Sequence, residues 1–263
     1  MNQSKAVKLN LHSSGFTLIE MAIVLMIVGL LLGGLLTPLA TQRERARYAD
    51  TEAALEEIHD ALVGHALAHD SLPCPATPAS NGLEAVAGGG CTRQHGFVPA
   101  GTLGIGGARN ADQLLVDAWG NPFRYSVSNA DVDGDGNWDF TAPGDMADVQ
   151  IGNLAPDLDV CTTAAGSSAT GCANPAATLT ATAPVIVFSM GSDWAATSGA
   201  DQNENVGATL GGGPSGRNYP VPADQVFVQR SRSEAAGAEF DDVVTWVSEN
   251  SVYNRMVSGG RLP

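Results

Sequence analysis

An apolar run of membrane length near the amino terminus constrains this chain more than any other feature. Residues 21–40 contain no charged side chain, and Glu20 stands at the start of the run. A helix needs roughly 20 apolar residues to cross a hydrocarbon core of about 30 Å. A carboxylate in such a layer costs about 2.5 kcal/mol or more unless it is paired. The run therefore predicts a transmembrane helix, and Glu20 predicts a partner of opposite charge.

The segment before the run has the features of a targeting leader. Lys5 and Lys8 are the only lysines in the chain, and the small residue Gly15 precedes the apolar run. A basic stretch, a small residue and an apolar run are typical of processed export segments. An ordinary secretory signal is cut after its apolar region, whereas here the junction lies before it. We therefore expect the apolar helix to remain on the mature chain.

Residues 15–20, Gly-Phe-Thr-Leu-Ile-Glu, resemble the cleavage and methylation motif of type IV prepilins and type II secretion pseudopilins. The resemblance implies that a prepilin peptidase cuts after Gly15 and that the new amine of Phe16 is methylated. It also implies that Glu20 pairs with this amine on a neighbouring pilin subunit as an inner-membrane assembly platform builds the filament. Opposite charges attract strongly in a low-dielectric layer. The alternative is a plain signal anchor with an incidental Glu.

The composition is that of an acidic, exported protein. Residues 71–263 contain eight Arg, no Lys and 20 Asp or Glu. This disfavours nucleic acid as a partner, because phosphate binding needs clusters of Lys and Arg. An even number of cysteines in an exported chain favours disulfides, and sequence neighbours suggest the pairs Cys74–Cys91 and Cys161–Cys172. Four cysteines allow three connectivities, and the sequence alone does not choose among them.

The helix is predicted to continue beyond the membrane. An apolar stripe recurs at steps of three to four residues, and it consists of Tyr48, Leu55, Ile58, Leu62 and Ala66. The pattern ends at Leu72, because the residue before a proline avoids helical geometry. The predicted regions are a leader at 1–15, a transmembrane helix at 16–40, an exposed continuation of the helix at 41–72 and a globular domain at 73–263.

The globular domain shows short strands separated by long loops. Apolar alternation or short apolar runs predict strands, at 123–127, 185–188, 226–228 and 243–247. Ser248 is predicted to cap a short last helix that Gly259 closes. The predicted fold class is α+β and pilin-like: one long helix whose outer half packs on an antiparallel sheet. Residues 76–92 and 155–183 are interpreted as insertions.

A second resemblance covers the middle and the end of this domain. Residues 117–125, Asp-Ala-Trp-Gly-Asn-Pro-Phe-Arg-Tyr, are similar to a D-x-W-G-N-P-aromatic-x-Y segment of major pseudopilins. Residues 240–246 resemble a closing strand of pilin-like proteins. The first segment reads as a turn that feeds a strand, with its aromatic side chains in the core. The chain is larger than a major pseudopilin, which favours a minor subunit.

Two loops are candidate calcium sites. In the first, Asp131, Asp133, Asp135 and Asp139 alternate in a stretch that matches the opening of an EF-hand loop. The twelfth position of that loop is Ala142, where an EF-hand needs a bidentate Glu, so the hypothesis is a calcium loop of another kind. Closely packed carboxylates repel one another without a cation. The alternative is an acidic, solvated turn.

The second calcium candidate is implied by the pseudopilin resemblance. Residues 189–193 and 201–205 stand where those proteins have a calcium-binding loop after a strand. The resemblance implies Asp193 and Asp201 as ligands. The spacing between them is similar to that in the family, but the intervening residues differ.

These features favour a structural function. The first hypothesis is a minor pilin or pseudopilin, matured by prepilin peptidase, in the filament of a type IV pilus or a type II secretion system. The alternative is an adhesin or substrate-binding module at the filament tip on the same scaffold. Either protein would be held in the inner membrane by a single span, with its globular domain in the periplasm or in an extracellular filament. The sequence offers no nucleophile motif or phosphate loop, so we do not expect an enzyme.

Overall fold

The computed structural model describes residues 15–194 and 199–262, except the side chains of residue 32 and residues 34–39. The predicted leader thus lies outside the described residues apart from Gly15. The chain divides into two compact units between Ala46 and Arg47.

The described residues form a mixed α+β structure. Its helices are α1 (Leu18–His69), α2 (Asp145–Val149), α3 (Ala200–Glu204) and α4 (Glu249–Ser258), with a short 3-10 helix at Pro175–Ala177. Its strands are β1 (Val86–Ala87), β2 (Gly90–Cys91), β3 (His95–Phe97), β4 (Arg124–Val127), β5 (Leu158–Cys161), β6 (Thr178–Ala183), β7 (Val185–Ser189), β8 (Ala208–Leu210), β9 (Tyr219–Val221), β10 (Val226–Val228) and β11 (Val243–Val247).

The outer part of α1, from Arg47 to His69, is the amphipathic helix that the sequence predicts. Leu55, Ile58, Leu62 and Ala66 are all buried. The helix ends at His69, and Asp70 turns the chain with a positive φ of 60°. The helix thus ends ahead of Leu72 and Pro73, where the sequence pattern ends.

The transmembrane assignment of residues 16–40 is not confirmed. In the ranges that the structure describes, no helix combines the length and the apolar character that crossing a membrane requires.

A four-stranded antiparallel sheet forms the centre of the globular unit, with strand order β11-β7-β4-β3. Side chains alternate along β7, as the period of a strand requires. Val185 and Val187 join the core that contains the α1 stripe and α4. Ile186 and Phe188 join a core on the other face. The prediction that the helix packs on an antiparallel sheet is confirmed.

The second sheet corrects the expectation of antiparallel pairing throughout. Its strand order is β10-β5-β6, and β10 pairs with β5 in parallel. The segment Val226–Val228 is a strand, as predicted, but it belongs to this sheet. Its partner β5 lies in a segment that was interpreted as an insertion. The long chain between β5 and β10 brings the two strands side by side in the same direction.

Both predicted disulfides are present. Cys74 is bonded to Cys91, and Cys161 is bonded to Cys172. The first bond ties β2 to the chain that follows α1. The second fixes the end of β5. Each bond thus joins a residue of a loop to a residue of a strand.

Candidate functional site

The first turn of α1 carries a reciprocal cap. The backbone N–H and the hydroxyl of Thr17 both donate to Oε2 of Glu20, at 2.8 Å each. The N–H of Glu20 donates back to the Thr17 hydroxyl at 3.3 Å. This is the capping-box arrangement of a Thr and a Glu three residues apart. It holds the Glu20 carboxylate at the helix terminus.

The predicted processing site lies just outside this cap. Gly15 and Phe16 precede the helix, and the Phe16 side chain is 81% exposed. Cleavage between them would leave the new amine four residues before Glu20.

The inner part of α1, residues 18–31, has large apolar side chains that are exposed. Leu18, Leu25 and Leu31 are representative, with exposed fractions of 91%, 67% and 59%. Soluble monomers rarely expose a contiguous apolar patch of more than a few hundred Å². An exposed apolar surface that runs from residue 18 to residue 31 is typical of a surface that becomes buried against a partner or a membrane.

A family model described as the prokaryotic N-terminal methylation motif matches residues 10–36. The matched range contains the Gly15–Phe16 junction and Glu20. This match supports a type IV pilin-like origin for the amino-terminal segment. The motif implies processing by a prepilin peptidase, assembly with other pilin subunits and a structural role. No curated protein and no solved structure matches the chain significantly.

In the globular unit, the Trp-Gly-Asn-Pro segment at 119–122 forms a turn. Asp117 accepts hydrogen bonds from the N–H groups of Trp119 and Asn121, at 2.9 Å each. Its second oxygen accepts from the Ser189 hydroxyl at 2.5 Å, and Asn121 donates to the Gly191 carbonyl at 2.8 Å. The turn therefore positions the loop that follows β7.

That loop brings Asp193 next to Asp241, which the sequence analysis did not single out. The two carboxyl groups lie within hydrogen-bonding reach, and burial, followed by Asp193, raises the pKa of Asp241 to about 6. Asp241 also accepts from the N–H and hydroxyl of Ser192, at 2.6 and 2.8 Å. The Gln202 amide donates to Asp193 and reaches Asp241.

Asp201 is not part of this cluster's hydrogen bonds. Its Oδ2 pairs with Nε of Arg230 at 2.7 Å, and its Oδ1 accepts from the hydroxyl of Thr163 and the N–H of Ala164. Asp193 and Asp201, expected to act as ligands together, thus have separate partners. A carboxylate that already neutralises an arginine is a poor additional cation ligand.

The Asp193–Asp241 cluster places two carboxylates side by side, with the Gln202 amide nitrogen between them. Two adjacent carboxylates repel unless a proton or a cation lies between them. The Gln202 carbonyl oxygen Oε1 is buried and has no hydrogen-bond partner among the described residues, and Gln202 is 1% exposed. Carboxylate and amide oxygens are the ligands that calcium prefers. When bound, the ion would supply the positive charge that the cluster lacks.

The 131–139 loop brings together three of its four predicted ligands. Oxygen atoms of Asp131, Asp133 and Asp139 lie within 4.8 Å of one another. Asp135 turns to Asn137 instead, accepting from its N–H at 2.7 Å and from its side-chain amide at 2.8 Å. The buried Asp139 accepts from the Val132 N–H at 3.3 Å. Burial, with Asp133 and Asp131, raises its pKa.

Sequence reasoning missed Asp241, Gln202 and Asp145, the last of which lies beside the 131–139 loop. The signal for Asp241 was the doublet of acids just before an apolar strand, where side chains alternate between the two faces. Gln202 and Asp145 belong to helices of five residues, and no local pattern marks them.

Proposed function

We propose that the mature chain, beginning at Phe16, is a minor structural subunit of a filament of the type IV pilus or type II secretion kind. The observation that carries the proposal is the exposed apolar surface at 18–31 with the single carboxylate Glu20 at its start. In a filament, the same surfaces of neighbouring subunits would cover one another. Before assembly, residues 16–40 would hold the subunit in the inner membrane.

In this proposal Glu20 changes partners during assembly. In the single chain its carboxylate caps the helix through Thr17. In the filament it would pair with the methylated amine of Phe16 on a neighbour. Both arrangements keep the charge near positive groups, namely the helix terminus and then the amine. The assembled pair lies in an apolar layer, where the loss of either charge is costly.

The test separates the charge of Glu20 from its capping role. Glu20→Gln keeps an oxygen that can accept from Thr17, because Gln also serves in a capping box. Thr17→Ala removes the capping hydroxyl and keeps the charge. We expect both variants to be cleaved after Gly15, as mass spectrometry of the mature chain would show.

Incorporation into sheared filaments should then differ. Glu20→Gln should reduce it by at least about tenfold, because an uncompensated charge in an apolar layer costs about 2.5 kcal/mol or more. Thr17→Ala should reduce it by less than about threefold, in line with the loss of one cap contact. Glu56→Ala, on the exposed face of the same helix, is the control. Normal incorporation of Glu20→Gln would reject the assembly role.

Cell fractionation assigns the kind of filament. Mature protein in the sheared filaments would identify a pilus subunit. Mature protein confined to the inner membrane would identify a pseudopilus subunit, and the next assay would be which proteins fail to leave the cell.

We also propose that the globular unit binds calcium at Asp193 and Asp241. A ligand that binds only the native state stabilises it by about 2.7 kcal/mol at 100 times its dissociation constant. Calcium should therefore raise the melting temperature of the full chain in detergent, and a chelator should reverse the increase. Asp241→Asn should lose most of the response, whereas the exposed Asp60→Asn should keep it. An equal response in both variants would exclude this site.

A further inference from the structure

The two edges of the central sheet end differently. At β3, the N–H of Phe97 donates to the Ala76 carbonyl at 3.0 Å, and the N–H of Ala76 donates to the Phe97 carbonyl at 2.8 Å. Another stretch of the same chain therefore pairs with this edge. At the opposite edge, β11 pairs with β7 alone among the described residues. The main-chain groups of β11 that point away from β7 thus have no strand to pair with.

Strand β11 also lacks the features that usually protect an open edge. Natural edge strands carry charged side chains, proline or a bulge, or they are very short. Strand β11 has five residues, Val-Val-Thr-Trp-Val, and its pairing with β7 is regular throughout. In the second sheet, by contrast, the Asn205 side chain closes the edge of β10 by bonding both the N–H and the carbonyl of Val228. An uncharged, regular edge such as β11 is suited to accept an added strand.

A groove lies beside β11, between this strand and the outer part of α1. Its volume is about 570 Å³, which is within the range of about 300–1,000 Å³ that is typical of ligand-binding clefts. Its lining includes the buried Leu55 and Val244 and the partly exposed Val243 and Thr245. An extended segment in this groove would pair with β11 and cover apolar surface at the same time.

The wall that α1 contributes to this groove is acidic. It carries Glu52, Glu56 and Asp60, all of which are exposed. Within the described residues, His59 is the one basic side chain that contacts this wall, with its Nδ1 3.5 Å from Oδ1 of Asp60. Residues four apart share one face of a helix, where like charges destabilise it. A basic ligand would therefore offset a repulsion that the chain itself leaves in place.

The spacing of these acids matches the spacing of side chains on one face of a strand. Residues four apart rise by about 6 Å along a helix, and alternate residues of a strand rise by about 6.6 Å. Alternate side chains of an added strand would therefore meet successive acids. Its other side chains would lie on the opposite face of the sheet, where Trp246 is partly exposed. The expected ligand is a segment in which basic and apolar residues alternate.

We propose that the groove between α1 and β11 binds an extended basic segment of another protein by strand addition. A second copy of this chain fits poorly, because pairing two β11 edges would bring two acidic walls together in a chain of net charge −15. All residues of the groove belong to the globular unit, and none belongs to the apolar surface at 18–31. The proposal therefore does not depend on filament assembly or on calcium.

The first test compares three synthetic peptides by fluorescence anisotropy with the full chain in a neutral detergent. In one peptide arginine and valine alternate, and in the second the same residues stand in two blocks. The third repeats the alternating sequence with methylated amides along one edge. The alternating peptide should bind at least about tenfold more tightly than either of the others, because they lose several main-chain hydrogen bonds or the match of side chains to the groove. Equal affinities would overturn the proposal.

Matched double variants then locate the site. Glu52→Gln with Glu56→Gln should weaken binding of the alternating peptide by about fivefold, as the loss of exposed ion pairs does. Asp50→Asn with Glu57→Gln removes the same charge from the same helix at exposed positions outside the groove. This pair should change affinity by less than about twofold. Equal losses in the two double variants would show general attraction between charges and would contradict a site in the groove.

Amide exchange reports on the strand itself. Exchange at residues 243–247 should slow by at least about fivefold when the alternating peptide is bound, because new main-chain hydrogen bonds protect amides from solvent. Unchanged exchange there would reject strand addition. Sedimentation tests the other occupant. Dimers of the chain that the alternating peptide dissociates would place a second copy in the groove and would overturn the assignment to a basic partner.

Discussion

The inner and outer parts of α1 belong to one continuous helix and yet present opposite surfaces. Leu25 in the inner part is 67% exposed, whereas Leu62 in the outer part is fully buried. Both are leucines in regular helix, so propensity does not distinguish them. What differs is burial: Leu62 lies in a core shared with the central sheet, whereas Leu25 is exposed. Apolar character in a helix thus serves folding at one end and, in our proposal, association at the other.

The largest effect on stability is expected from the buried leucine of this pair. Leu62→Ala should lower the free energy of unfolding by about 3 kcal/mol, because it removes a buried side chain and leaves a cavity. Leu25→Ala should change it by less than about 0.5 kcal/mol, as an exposed substitution does. Urea unfolding of the full chain in detergent measures both. All four tryptophans lie in the body, at 119, 138, 194 and 246, so fluorescence reports on its unfolding. Equal losses in the two variants would refute the contrast.

The second prediction concerns pH, to which the body should respond through buried groups. Burial, with a smaller contribution from Arg93, lowers the pKa of His95 from 6.5 to about 4. Between pH 6.5 and about 4 the unfolded chain binds a proton at His95 that the folded chain does not. The stability that this group contributes is therefore complete above pH 6.5 and is lost as the pH falls toward 4, by about 3 kcal/mol.

His95→Gln should remove this part of the acid sensitivity. The measurement is the difference between the unfolding free energies of variant and parent at pH 7 and pH 4.5. Between pH 7 and pH 4.5 the variant should lose less unfolding free energy than the parent. His59→Gln, on the partly exposed face of α1 beside Asp60, is the control. A pH-independent difference for His95→Gln would contradict the expected burial of a neutral imidazole.

The spacing of apolar residues along the chain predicted much of this architecture. It did not predict contacts between segments that are far apart in the sequence. The α1 stripe, the strands that contain Tyr125, Val187 and Val244, and the cap at Ser248 follow from residue spacing, because each is determined by neighbours along the chain. Ser248 indeed accepts from the N–H of Ser251 at 3.2 Å. These elements were predicted to within a few residues.

The parallel pairing of β5 with β10 and the membership of the acidic clusters were not predictable in the same way. Asp201 was expected beside Asp193, but Arg230 from a distant strand end neutralises it. Asp241 and Asp145 approach their clusters from other elements. Such contacts depend on how the chain folds back, and a single sequence holds no periodic signal for that. The sequence therefore indicates which loops are acidic, but not which acidic residues come together in the fold.

The third prediction tests the outer end of α1. Arg261 donates from Nε to the Leu67 carbonyl at 3.1 Å, and its Nη1 lies 3.2 Å from Oδ2 of Asp70. A cation there satisfies the last carbonyls of the helix and opposes its dipole. Arg261→Ala should lower the unfolding free energy by about 0.5–1 kcal/mol. Arg255→Ala, at an exposed position on α4, should have a smaller effect, and a larger loss there would contradict the capping role.

The smallest effect on global stability is expected at the inner end of the same helix. Thr17→Ala removes the hydroxyl of the capping box, whose hydrogen bonds join it to Glu20 in the same helical turn. The urea midpoint should therefore stay within error. Amide exchange at residues 18–20 should accelerate by about fivefold, the equivalent of a lost cap of about 1 kcal/mol that is felt only by local opening. If the midpoint fell as it does for Arg261→Ala, the inner end would be coupled to the body's folding. The inner part of α1 would then serve folding as well as association.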